Sequence, residues 1–213
     1  MVPIFKAGLH ANPSNYRGIA VGNHISKLFA KCLNKRITDF LTQKKILPDN
    51  SLGFRKGLRT EDGMFLLKTV SRKYIKLGKK LFTIFVDFSK FYDKINHEIL
   101  LDKLYKIGIT GNIFNAIKNM YKDISYSVKI TKSGNTKTTQ PFNSNIGLKQ
   151  GCPLSPTLAN IFLHDIHNHL LSNDIEIQNR YLNSIAWADD LVLFSLTHQT
   201  TQKKMDSQSN YII

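Results

Sequence analysis

The stretch Ile185-Ala186-Trp187-Ala188-Asp189-Asp190-Leu191-Val192-Leu193-Phe194 sets two acids between two apolar runs. The flanks read as strands and Ala188-Asp189-Asp190 as the tight turn between them. A second apolar run, Leu81-Phe82-Thr83-Ile84-Phe85-Val86, ends on Asp87. It is short, continuous and rich in β-formers, which predicts a fully buried strand. A buried carboxylate is costly unless it is paired or binds a metal. If the hairpin and the strand lie side by side, Asp87, Asp189 and Asp190 converge at one edge of a sheet. Carboxylates so clustered raise one another's pKa, and bound Mg²⁺, which favours hard oxygen ligands, relieves the repulsion. The Asp-Asp dipeptide by itself reads as a polar turn. Its combination with the other segments points to a metal site.

Composition sets the class of partner. The 213 residues, 42% hydrophobic, suffice for one sizeable core or two small subdomains sharing one. Thirty Lys and Arg against 15 Asp and Glu give a formal charge of +15, spread along the chain rather than gathered in a tail. That balance favours a polyanionic partner, nucleic acid first. Cys32 and Cys152 lie far apart and match neither a metal spacing nor a disulfide framework, which suits a reducing compartment. The N-terminus lacks the apolar core of a signal peptide, and no apolar stretch approaches a membrane span. The expectation is a soluble intracellular protein with no membrane partner.

Periodicity and punctuation place the remaining elements. Residues 1–22, with Pro3, Gly8, Pro13, Gly18 and Gly22, read as loop. Ile25, Leu28, Phe29, Cys32, Leu33, Ile37, Phe40 and Leu41 recur at helical spacing and predict a helix with that stripe inward. Thr60, Asn96 and Thr110 are candidate N-caps of three further helices, with Gly78 and Gly108 closing the first two. Residues 125–131 and 136–142 form a hairpin about a turn at 133–135. A glycine-containing loop, Gly147-Leu148-Lys149-Gln150-Gly151, leads to Ser155-Pro156, a helix start expected to run to about Leu171. His164, His167 and His169 fall on the polar side of that helix and read as surface residues. The tail after Ser195 is polar. The order predicts an α+β fold with a mainly antiparallel sheet.

Several segments together resemble reverse transcriptases of the non-LTR (LINE-type) retrotransposons. Phe85-Val86-Asp87-Phe88-Ser89-Lys90-Phe91-Tyr92-Asp93-Lys94-Ile95 resembles their first catalytic motif. Gly147-Leu148-Lys149-Gln150-Gly151-Cys152-Pro153-Leu154-Ser155-Pro156 resembles their Gln-Gly loop-to-helix motif, and Ala186-Trp187-Ala188-Asp189-Asp190 their Ala-Asp-Asp motif. Asn15-Tyr16-Arg17-Gly18-Ile19 and Gly53-Phe54-Arg55-Lys56-Gly57 resemble fingers motifs of the same group. The order is the family's, and the likeness runs from about residue 1 to residue 200.

The resemblance implies a right-hand polymerase fingers and palm, the antiparallel palm sheet covered by helices and the thumb absent. Residues 1–80 would be fingers-like, 81–200 the palm-like catalytic region and 201–213 a polar tail. Asp87, Asp189 and Asp190 would be the catalytic and metal-binding acids, holding two Mg²⁺, with Mn²⁺ as a substitute. Tyr92 would sit under the incoming sugar and exclude a ribose 2′-hydroxyl. Gln150 and Gly151 would wall the nucleotide, Arg17 would neutralise its triphosphate, and Arg55 would contact template or serve as a plain surface cation. Asp93 is expected in a structural contact. The implied partners are an RNA template, a DNA primer and deoxynucleoside triphosphates. Thumb and endonuclease parts of a larger polyprotein are expected to lie outside this sequence. Two rivals share the motifs: a non-catalytic nucleic-acid-binding remnant, and an RNA-dependent RNA polymerase, against which Tyr92 argues. Phe91 departs from the family's small residue and would either crowd the nucleotide or turn away from it.

Overall fold

The computed structural model describes residues 1–132, 134–169 and 175–211. Strands β1 (Val2–Phe5) and β2 (Tyr16–Ile19) precede the long helix α1 (His24–Gln43). Helix α2 (Thr60–Lys76) and strand β3 (Phe82–Asp87) follow, then α3 (Phe91–Lys94), α4 (His97–Lys106) and α5 (Gly111–Tyr121). Four short strands come next: β4 (Ser125–Tyr126), β5 (Lys129–Lys132), β6 (Asn135–Thr138) and β7 (Phe142–Asn143). Helix α6 (Ser155–Leu163) leads through a 3₁₀ turn (Ile166–His169) to β8 (Glu176–Ile177) and β9 (Arg180–Tyr181). Strands β10 (Ser184–Trp187) and β11 (Asp190–Ser195) and helix α7 (His198–Tyr211) complete the chain. Among the described residues no helix is long and apolar enough to cross a membrane. The chain divides into two compact units, residues 1–40 with 90–158, and residues 41–89 with 159–213.

In the first unit β1 and β2 pair antiparallel, with Ile4 opposite Arg17. Residues 1–22 are therefore not a loop. Gly8, at φ 93°, and Pro13 lie in the hairpin connection, so the punctuating residues mark a turn between strands. Helix α1 buries Ala30, Leu33 and Ile37, but Ile25 is 80% exposed and Leu28, Phe29 and Cys32 are exposed too. Only the C-terminal half of the expected apolar stripe has a partner. Asn96 caps α4 as its spacing predicts, its side chain accepting from the N–H groups of Glu98 and Ile99. The expected hairpin is present as β5 on β6, with β4 on β7 outside it. Its turn residue Ser133 lies outside the described residues.

The second unit is built on a three-stranded antiparallel sheet in the order β10-β11-β3. Side chains alternate across it. Ile185 and Phe194 pack with Leu52, with Val70 and Tyr74 of α2, and with Ile175 into one buried cluster. Leu191 and Leu193, on the other face, are buried as well, and α7 packs against β11 and β3. The polar tail is thus a helix from His198. Strand β3 forms where expected but is not fully buried: it is an edge strand of the three, and Phe85 is 71% exposed. Helix α2 starts at its predicted cap, one residue earlier than expected. Arg59 is the N-cap, its N–H donating to Asp62 Oδ2 at 2.6 Å, and Thr60 is the first helical residue. Helix α6 stops at Leu163, short of the expected end near Leu171. His164 Nδ1 lies 2.7 Å from the Ile161 carbonyl and occupies an acceptor that a further helical turn would use. Leu170 and Leu171 lie outside the described residues.

Candidate active site

The three aspartates come together at one end of the sheet of the second unit. Asp190 is the first residue of β11 and stands directly opposite Asp87, the last of β3. Opposed residues of an antiparallel pair project from the same face. Trp187 of β10 faces Asp190 from the other side, so Trp187, Asp190 and Asp87 form one cross-strand row. Ala188 takes the left-handed conformation, φ 56°, that closes the turn carrying Asp189. The strands are placed by their apolar residues, and the acids mark where those residues run out.

Exposure corrects one sequence argument. Asp87 and Asp190 are exposed and Asp189 is half-buried, so burial does not itself demand a counter-ion. Mutual repulsion does act. The Asp190 carboxyl is raised above its ordinary pKa by partial burial first and by the charges of Asp189 and Asp87 next. Among the described residues no His, Cys, Asp or Glu side chains are already drawn into a closed set of three metal ligands. The donor set nevertheless fits a hard divalent cation: it is all carboxylate oxygen, and its members repel one another.

The turn is braced from the segment at residues 50–53. Ala186 N–H donates to the Asn50 carbonyl at 2.9 Å and Leu52 N–H to the Ala186 carbonyl at 2.8 Å, a parallel bridge beside β10. Gly53 lies so close to the backbone of Ala188 that a Cβ has no room. Asn160 Nδ2 donates to the Gly53 carbonyl at 2.6 Å. Arg55 turns inward: its Nη1 donates to the carbonyls of Pro48 at 2.7 Å and Ser51 at 3.0 Å, holding the same segment. Sequence reasoning missed this brace. It also misplaced His167, which is not on the surface but sits among Asn50, Ser51 and Ser184. The early end of α6 put it out of helical register.

The other four sequence-nominated residues belong to the first unit, where the Gln-Gly loop is stitched to its neighbours. Leu148 N–H donates to the Tyr92 carbonyl at 2.7 Å and Gly147 N–H to the Ile95 carbonyl at 2.8 Å. A Cβ on Gly147, φ 89°, would press the Asp93 backbone. Gln150 Nε2 donates to Asp93 Oδ1 at 2.9 Å, so Asp93 makes the structural contact expected of it. The Gln150 carbonyl accepts from Ala20 N–H at 2.7 Å, just beyond β2, the strand that carries exposed Arg17. Gly151, φ 98°, approaches the Ala20 carbonyl to where a Cβ would be 3.1 Å from it. Phe91 is buried and meets Tyr92 edge-on at 5.9 Å, so its ring fills the interior of this unit.

Known proteins resemble most of this chain. The family model for reverse transcriptase (RNA-dependent DNA polymerase) matches residues 4–212. The "Probable RNA-directed DNA polymerase from transposon BS" of Drosophila melanogaster is 26% identical over 73% of this chain and 17% of its own length. The "Retrovirus-related Pol polyprotein from type-2 retrotransposable element R2DM" of the same fly is 26% identical over 94% of this chain and 18% of its own length. The chain thus spans under a fifth of these relatives. Among solved structures, apo telomerase from Candida tropicalis, truncated from its C-terminal domain, superposes with a TM-score of 0.59 at 16% identity. That match covers 86% of this chain and 37% of the telomerase, and shows a shared fold. On these matches, joined to the row of acids at the end of the sheet, the chain belongs to the reverse transcriptase family, and its retrotransposon relatives are of the non-LTR kind.

Proposed function

We propose that the chain is the fingers and palm of an RNA-directed DNA polymerase that adds deoxynucleotides to a DNA 3′-end on an RNA template. The observation that carries the reading is the register of β11 on β3, which sets Asp190 opposite Asp87 with Asp189 in the adjoining turn. Asp87, Asp189 and Asp190 would hold two Mg²⁺, which would supply Lewis-acid activation of an attacking hydroxyl and charge stabilisation of the leaving phosphate. The acids would fix those charges at the end of the sheet, where like charges on Asp189 and Asp87 add to partial burial in raising the Asp190 pKa.

Tyr92, Gln150, Gly151 and Arg17 serve the incoming nucleotide. The Gln-Gly loop is rigid by virtue of its bonds to Ala20, Tyr92 and Asp93, and so presents a fixed wall. Tyr92 opposes a 2′-hydroxyl by bulk. Arg17, exposed on β2, supplies positive charge for the triphosphate. Arg55 has an inward role in its loop and is assigned to template only through its remaining guanidinium nitrogens. Residues 1–80 act as fingers, and 81–200 act as palm.

Incorporation of labelled deoxynucleotide on a primed RNA template with Mg²⁺ tests the reading. Asp189→Ala removes a charge-stabilising ligand worth several kcal/mol and should lower incorporation by roughly a thousandfold. Equal incorporation by the two proteins would sink the assignment. Absence of incorporation in both, with salt-sensitive RNA binding retained, would favour a binding remnant instead.

A further inference from the structure

Three elements of the second unit meet beside the carboxylates: the segment at 50–53, strand β10 and the 3₁₀ turn bearing His167. Asn50 Nδ2 donates to the Ser184 carbonyl at 3.0 Å, a group that can only accept. Its second hydrogen faces Ser184 Oγ and His167 Nδ1, both 3.2 Å away. His167 Nδ1 lies 2.6 Å from Ser184 Oγ, and Nε2 lies 2.9 Å from Ser51 Oγ. In either neutral tautomer one ring nitrogen donates and the other accepts, and each hydroxyl takes the complementary role. A neutral imidazole thus bridges two buried hydroxyls. Burial keeps it neutral, holding its pKa down at about 4.

The bridge clamps the backbone that carries the acids. Ser51 lies opposite Ala186 in the parallel bridge, and Ser184 begins the strand that ends at Trp187. Ala186 exchanges hydrogen bonds with Asn50 and Leu52, and Gly53 abuts Ala188, the residue before Asp189.

We propose that His167 is a positioning residue: by bridging Ser51 to Ser184 it locks the segment at 50–53 onto β10 and thereby fixes the turn that presents Asp189 and Asp190. The functional consequence rests on the catalytic reading of those acids; the lock does not.

Trp187, the sole tryptophan, adjoins the turn and reports on it. In the full chain, His167→Leu should shift Trp187 emission and speed amide exchange at Leu52 and Ala186 by about tenfold or more. It should also weaken Mn²⁺ binding, read by electron paramagnetic resonance, by about tenfold. His167→Gln, which offers one donor and one acceptor in place of the two ring nitrogens, should bring all three readouts to within about threefold of the original. A folded His167→Leu with unchanged exchange and emission overturns the lock. Faster exchange with unchanged Mn²⁺ affinity, where Asp189→Asn does weaken Mn²⁺ binding, overturns the positioning role. If Asp189→Asn leaves Mn²⁺ affinity intact, the metal reading of the acids falls, and exchange with emission decides the lock alone. Should His167→Leu fail to fold, Ser51→Ala, which removes a single bond, is judged by the same outcomes.

Discussion

His167 and Asp190 are shifted by burial toward the same result, loss of charge, but only Asp190 also has like charges beside it. For His167 the shift has a consequence for stability. In the unfolded chain the ring titrates near 6.5; in the fold it stays neutral to about 4. Between those values the unfolded state binds the extra proton, so stability rises with pH across that window. The full contribution is present above about pH 6.5 and lost by about pH 4, a change of about 3 kcal/mol. Urea unfolding at pH 7 and pH 4.5 should therefore show a larger acid penalty in the original protein than in His167→Gln. Identical penalties would mean that the ring titrates as an exposed histidine does.

Elements show which parts of the structure were legible in the sequence. Strands β3, β10 and β11 were legible because each is a short apolar run beside an acid, β3 ending on Asp87 and β10 and β11 flanking the Asp189 turn, and Asn96 because a cap is a local device. The exposure of Phe85 was not, since it depends on β3 being an edge strand of its sheet. Gly8 and Pro13 were read as signs of loop when they mark the connection of a hairpin, because turn residues do not reveal whether strands flank them. The acids of the site were visible as sequence, whereas the brace at 50–53 was not: it joins residues more than a hundred positions apart through backbone groups that every residue carries. Gly53 tests that brace as an element. Gly53→Ala must push the segment away from Ala188, and overpacking of this kind costs about 1–3 kcal/mol. A urea midpoint equal to that of the original protein would show that the close approach is not maintained in solution.

At the scale of the whole molecule the dominant quantity is charge. A formal +15 on 213 residues attracts a polyanion wherever it docks, and each neutralised phosphate of a single strand adds about −0.7 to the logarithmic salt slope. RNA affinity should accordingly fall at least about tenfold between roughly 50 and 200 mM salt. A flat profile in a filter-binding assay would mean that the cationic surface takes little part in holding RNA. Under the proposed function the +15 and the row of acids would act at different ranges, the first on a strand at a distance and the second only over bonding distance.

The pairing of Asp190 with Asp87 makes the site vulnerable in an unusual way. Each substitution in β3 or β11 that keeps the ladder leaves both acids on one face, so the site weathers point changes by degrees. Loss or gain of one codon within either strand slides the pairing by one step and sends the two acids to opposite faces, while the apolar runs can still find partners. A one-residue deletion in either strand should therefore cost the site its geometry in a single step while the formal charge of the chain stays strongly positive.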